Sequence, residues 1–123
     1  KSFVKMQNPL PQHWANIDIG RSYFHLSATV NSRDNSLNIW LNLTGERAKE
    51  NYDKLREISY EISLKEVSKD LVWDRMEGRK MSAVMLKASG DFTDRGAWKE
   101  QFQWFKENLE RFSNFFKPLV AKL

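Results

Sequence analysis

The sequence predicts an α+β fold: an antiparallel sheet of about five strands, in the order βββ-α-ββ-α, packed by helices. Three patterns carry this reading. Two alternating apolar–polar runs flank the polar loop Ser32-Arg33-Asp34-Asn35-Ser36, and a second hairpin pattern occupies Leu71–Ala88. The chain then closes on a long amphipathic helix with an aromatic stripe. Strands followed by helices that cover them define the class.

The opening Lys1–Gln12 contains Asn8-Pro9-Leu10-Pro11. Both prolines lack an amide donor and bias their predecessors toward extended backbone, so this stretch reads as an ordered lead-in or linker end. Trp14–Ile19 is a short first strand, and a Gly20-Arg21-Ser22 turn leads to a second over Tyr23–Asn31. In the second strand Phe24, Leu26, Ala28 and Val30 share one face, while Tyr23, His25, Ser27, Thr29 and Asn31 share the other. The third strand alternates likewise, with Leu37, Ile39, Leu41 and Leu43 opposed to Asn38, Trp40 and Asn42.

Parity sets the register of this hairpin. With Arg33 and Asp34 at the turn, Val30 meets Leu37, Ala28 meets Ile39, Leu26 meets Leu41 and Phe24 meets Leu43. A slip of one residue would move every apolar side chain to the wrong face.

Thr44-Gly45-Glu46 opens a helix in which Ala48, Tyr52, Leu55 and Ile58 or Ser59 recur at helical spacing, continuing to Ile62. Leu71–Met76 and Met81–Ala88 form the second hairpin, with Gly78 among the turn residues Glu77–Lys80. Thr93 or Asp94 is the expected cap of a last helix from about Arg95 to the end. Its stripe is Trp98, Phe102, Phe105, Leu109, Phe112, Phe116 and Leu119, and Pro118 is expected to bend or end it.

At 123 residues the chain is read as a single α+β domain over residues 1–123, with enough apolar content (41%) to build a core. It begins with Lys1 rather than Met, which suggests the C-terminal part of a longer protein or a processed product. There is no cysteine, so disulfides and thiolate metal sites are excluded and a cytoplasmic setting is expected. No apolar run reaches the roughly 20 residues of a membrane span, and no membrane partner is expected. Asn42-Leu43-Thr44 matches a glycosylation sequon, read as coincidence without a secretory signal. The net charge of +4 could favour nucleic acid, but 20 basic residues interleave with 16 acidic ones and form no basic block.

Motifs for chemistry are sparse. The two histidines, His13 and His25, lack companions at metal-ligand spacing. No phosphate-cradling glycine loop, nucleophile elbow or strand-borne Glu-x-Lys triplet of a metal-dependent nuclease occurs. No catalytic residue, metal ligand or cofactor is assigned.

Two surfaces remain. One is the polar face of the first hairpin, with Tyr23, His25, Trp40 and Asn42 as a possible ligand or nucleic-acid face and Arg21, Arg33, Arg47 and Lys49 around it. An aromatic ring among amides and hydroxyls can stack a base or a sugar. The bland expectation for Trp40 and Tyr23 is burial under a helix. The other surface is on the last helix, where Ala97, Trp104 and Phe115 align outside the main stripe. Trp104 and Phe115 form a possible interface, toward the domain's own second layer, an upstream segment or another chain.

Pro9-Leu10-Pro11-Gln12-His13-Trp14, Ile19-Gly20-Arg21-Ser22, His25-Leu26 and Val30-Asn31 resemble a bacterial domain-of-unknown-function family, number 4268. Leu71-Val72-Trp73, Trp98, Trp104, Phe112 and Phe116-Lys117-Pro118 agree, and the resemblance covers essentially the whole chain. It implies an accessory position C-terminal to a PD-(D/E)XK nuclease-like domain, and it transfers no catalytic residue. The family usually begins with an aromatic-rich helix, of which Lys1–Met6 would be the tail. The expected function is therefore a non-catalytic accessory or protein-interaction domain of a nuclease-related protein. Its partner would be the upstream domain, another chain or a second copy, met through the Trp104/Phe115 seam. The alternatives are a nucleic-acid-binding module on the Trp40 face and a small enzyme with a site at His25 and Asn42.

Overall fold

A computed structural model describes residues 13–123, so the lead-in over Lys1–Gln12 lies outside the described residues. Strands β1 (His13–Asp18), β2 (Phe24–Asn31) and β3 (Ser36–Leu43) precede helix α1 (Ala48–Glu66). Strands β4 (Val72–Asp74) and β5 (Ser82–Ser89) follow, then a 3-10 turn (Arg95–Ala97) and helix α2 (Trp98–Val120). The strands form one antiparallel sheet in the order β1-β2-β3-β5-β4. Four strands are six or eight residues long, and β4 has only three.

The β2–β3 register matches the parity argument, with Phe24 opposite Leu43, Leu26 opposite Leu41, Ala28 opposite Ile39 and Val30 opposite Leu37. These residues are all buried. They form one core with Val84 and Leu86 of β5, Ala48, Tyr52 and Leu55 of α1, and Phe105, Leu109, Phe112 and Phe116 of α2. Both helices therefore pack on the same face of the sheet. The aromatic stripe of α2 supplies the largest side chains of that core, at the spacing its sequence requires.

Along α1 the Ser59 alternative holds, and the continuation of the stripe to Ile62 needs correction. In α1 the buried positions run through Ser59 and Ser63, whereas Ile58 and Ile62 stay about half exposed. The small Ser63 lets Trp73 of β4 approach: the indole N–H donates to Ser63 Oγ at 3.2 Å. The ring meets Tyr52, Tyr60 and Phe116 edge-on, with centroids 5.8–6.0 Å apart. Each serine hydroxyl bonds back to its own helix, Ser59 to the Leu55 carbonyl and Ser63 to the Tyr60 carbonyl, both at 2.6 Å.

Pro118 does not end α2 at its own position; the helix continues to Val120. Proline removes one N–H, the one that would bond the Asn114 carbonyl, and Asn114 is exposed to water that can replace it. Asp94 caps the preceding 3-10 turn as expected, accepting from the Gly96 N–H at 3.1 Å.

Candidate functional site

The side of the sheet away from the helices carries a cross-strand row made by Ser27, Trp40, Met85 and Val72, each opposite the next on β2, β3, β5 and β4. Trp40 and Met85 are partly exposed, and Val72 is 54% exposed. One row toward the β2–β3 turn lie Thr29, Asn38 and Lys87; one row the other way lie His25, Asn42, Ala83 and Asp74. Among the described residues no helix covers this face, which corrects the expectation that Trp40 would be buried under one.

At the turn end, Thr29, Asn31, Arg33, Asn38 and Trp40 line an open groove of about 490 Å³. From Asn38 in its lining runs a short polar relay. Asn38 Nδ2 donates to Ser36 Oγ at 3.0 Å, Ser36 Oγ donates to Asp34 at 2.6 Å, and Lys87 Nζ donates to Asp34 at 2.7 Å. The Lys87 ammonium, followed by the Ser36 hydroxyl, holds the Asp34 carboxyl below its ordinary range.

Asn42 is buried on the same face and works structurally. Its Nδ2 donates to Ser27 Oγ at 3.1 Å and to the His25 carbonyl at 3.3 Å, tying β3 to β2. His25 stands beside it, partly exposed, and Asp18 pairs opposite His25 in the register.

The other candidates are elsewhere. Tyr23 adopts φ +72° at the end of the β1–β2 turn. It lines a separate cavity of about 420 Å³ with Arg21, Thr44, Arg47 and Asn51. Arg21 Nη1 donates to the Val120 carbonyl at 3.0 Å, capping the C-terminal end of α2. Arg47 pairs with Glu50 one turn along α1. Lys49 Nζ is held by the carbonyls of Arg75, Met76 and Met81. Of the four cations expected around Trp40, only Arg33 lies in its groove.

Trp104 and Phe115 are partly buried and pack against the same core as the main stripe, edge-on to Phe105 and Phe116. Trp104 also lines a shallow surface depression with Lys99, Glu100, Gln103 and Glu107.

Other displaced carboxyls belong to surface pairs and turns. Glu50 is lowered by Arg47 and then Lys54, and Asp91 by the Thr93 hydroxyl and N–H. Among the described residues no group of three His, Cys, Asp or Glu side chains is placed to hold a metal ion. No helix among them is long and apolar enough to cross a membrane.

The sequence pattern described as "Domain of unknown function (DUF4268)" matches residues 1–120. The chain belongs to that family. Comparison with curated proteins and with solved structures returns no match. For this DUF4268 domain, residue-level meaning therefore comes from its own geometry. Sequence reasoning missed Met85, Val72, Lys87 and Asp74 as members of the open face. Their alternation within β4 and β5 was visible, but nothing local reveals that β5 pairs with β3.

Proposed function

We propose that this DUF4268 chain is an accessory, protein-interaction domain of a nuclease-related bacterial protein, and that it docks protein through the open sheet face centred on Trp40. The observation that carries the reading is the Trp40–Met85–Val72 row, an apolar stripe with polar rows on either side, on a face that no helix covers among the described residues. An aromatic anchor in a polar rim is the composition of a protein-docking patch. The nuclease context rests on the family resemblance, and a cytoplasmic setting is part of the same proposal.

Nucleic acid is the second reading, favoured by one observation: Arg33 shares the groove with Trp40, Asn38 and Thr29. A guanidinium and an indole together can hold a stacked base. Arg21, Arg47 and Lys49 are committed to contacts within the fold, which leaves this groove poor in cations for a phosphate backbone.

Fluorescence anisotropy with labelled single- and double-stranded oligonucleotides, at low and physiological salt, separates the two. Protein docking predicts at most weak binding that Trp40→Ala and Arg33→Ala leave unchanged. Salt-sensitive binding lost in both variants would overturn it in favour of nucleic acid.

A further inference from the structure

Resting on the protein-docking reading above, we propose that the occupant of the open face is a second copy of this chain. The two sheets pack face to face about a two-fold axis running along the Trp40–Met85–Val72 row. The layout of charge among the described side chains of the face selects this partner. Lys87 stands one row from the apolar centre, with Arg33 at the adjoining turn, and Asp74 stands one row away on the opposite side. Lys87 and Asp74 are both exposed.

A two-fold interface is isologous, so the surface that fits it must complement itself. Rotation about the central row keeps each strand over its own counterpart and reverses the rows. Trp40 and Met85 then meet their own copies, and the Lys87 row of each protomer lies over the partner's Asp74 row. The two charges sit on adjacent strands about 4.8 Å apart, with stacked sheets about 10 Å apart, which the long lysine side chain can bridge. Lys87 and Asp74 thus each meet the opposite sign across the axis, while Lys87 also keeps Asp34 at 2.7 Å within its own chain. A uniformly acidic partner would leave Asp74 facing like charge, and a uniformly basic one would do the same to Lys87.

The 33 residues of the five strands present roughly 500 Å² of projected surface at ordinary strand spacing. Stable interfaces bury about 800 Å² per partner, so the dimer is expected to be a weak one.

Sedimentation velocity on the 123-residue chain across the micromolar range tests this. The expected result is concentration-dependent dimerisation that Trp40→Ala abolishes. Lys87→Glu alone and Asp74→Lys alone each weaken it about tenfold, since both charged contacts of the symmetric dimer turn repulsive. An equimolar mixture of the two variants restores association, because each altered residue then faces its opposite. Asp34→Ala removes the intrachain partner of Lys87 and leaves the dimer intact, separating that ion pair from the interface. A chain that stays monomeric across that range would overturn the self-association and leave protein docking standing. A dimer indifferent to both charge variants but dissolved by Trp104→Ser with Phe115→Ser would overturn it by placing the contact on α2. Oligonucleotide binding through Trp40 and Arg33 would remove the docking reading itself.

Discussion

The ammonium group of Lys49, in the first turn of α1, donates to the main-chain carbonyl of Met81 at 2.6 Å, where β5 begins. It also reaches the Met76 carbonyl at 2.8 Å, Ser82 Oγ at 3.2 Å and the carbonyl of Arg75. One cation thus gathers both ends of the β4–β5 connection onto the helix. Met76 in that connection has φ +55°, a conformation an isolated chain rarely adopts. Lys49→Met keeps the aliphatic stem and removes the donors. It is expected to destabilise the domain by about 2 kcal/mol, the range for hydrogen bonds to a charged group. Urea denaturation measures the loss, and hydrogen exchange should show faster amide opening in β4 than in β2.

Gly90 sits against Leu37 so closely that a Cβ added there would lie 2.8 Å from Leu37 Cγ. Leu37 is a core residue of β3, and the Gly90 N–H bonds the Asn35 carbonyl at 2.8 Å, so neither side is free to retreat. Gly90→Ala is expected to lower stability by about 1–3 kcal/mol through overpacking. Leu37→Val in the same chain should return part of that loss. A double-mutant cycle in urea shows the coupling, and additive effects would refute the steric account.

Legibility in the sequence followed the range of each interaction. The β2–β3 register was readable to the residue, because the turn and both strands lie within one local stretch and alternation decides it, although Tyr23 falls outside β2 and Ser36 begins β3. The α2 stripe was readable for the same reason. Insertion of β5 between β3 and β4 was not, since nothing near Trp40 indicates that Met85 will stand opposite it. Arg21 illustrates the same limit: its partner, the Val120 carbonyl, is 99 residues away. Basic residues could be counted in the sequence, but which of them the fold consumes could not. In α1, Ile58 and Ser59 both satisfied a helical period, and the need to admit Trp73 selected the serine side.

Acid is expected to destabilise the domain through three exposed carboxyls. Asp34 is held low by Lys87, Glu50 by Arg47 and Asp91 by Thr93. A depressed folded-state value means that the unfolded chain takes up protons first. The stabilisation is therefore complete above the ordinary carboxylate range of about pH 4 and is lost as pH falls through each folded value. The thermal midpoint should be flat from neutrality to about pH 5 and fall below about pH 4. Salt should shrink the share owed to Asp34 and Glu50, whose partners are cations. On the alkaline side, burial raises the Tyr52 phenol, so its contribution is present below about pH 10 and lost as pH rises through the folded value.

Trp40 and Asn42 lie two residues apart on the same face of β3, and their substitutions are expected to separate binding from stability. Asn42 is buried and holds β2 through Ser27 Oγ and the His25 carbonyl. Asn42→Ala should cost about 1 kcal/mol in urea, the net worth of a typical hydrogen bond, without altering the outer surface. The Trp40 ring is partly exposed, and its truncation opens no closed cavity. Trp40→Ala should therefore cost far less than the 3–5 kcal/mol typical of a core truncation such as Phe112→Ala. In sedimentation the order reverses: Trp40→Ala removes association, while Asn42→Ala retains it at concentrations where the domain is folded. If Trp40→Ala instead unfolds the chain as readily as Phe112→Ala does, the ring is part of the core and the open face is not a docking surface.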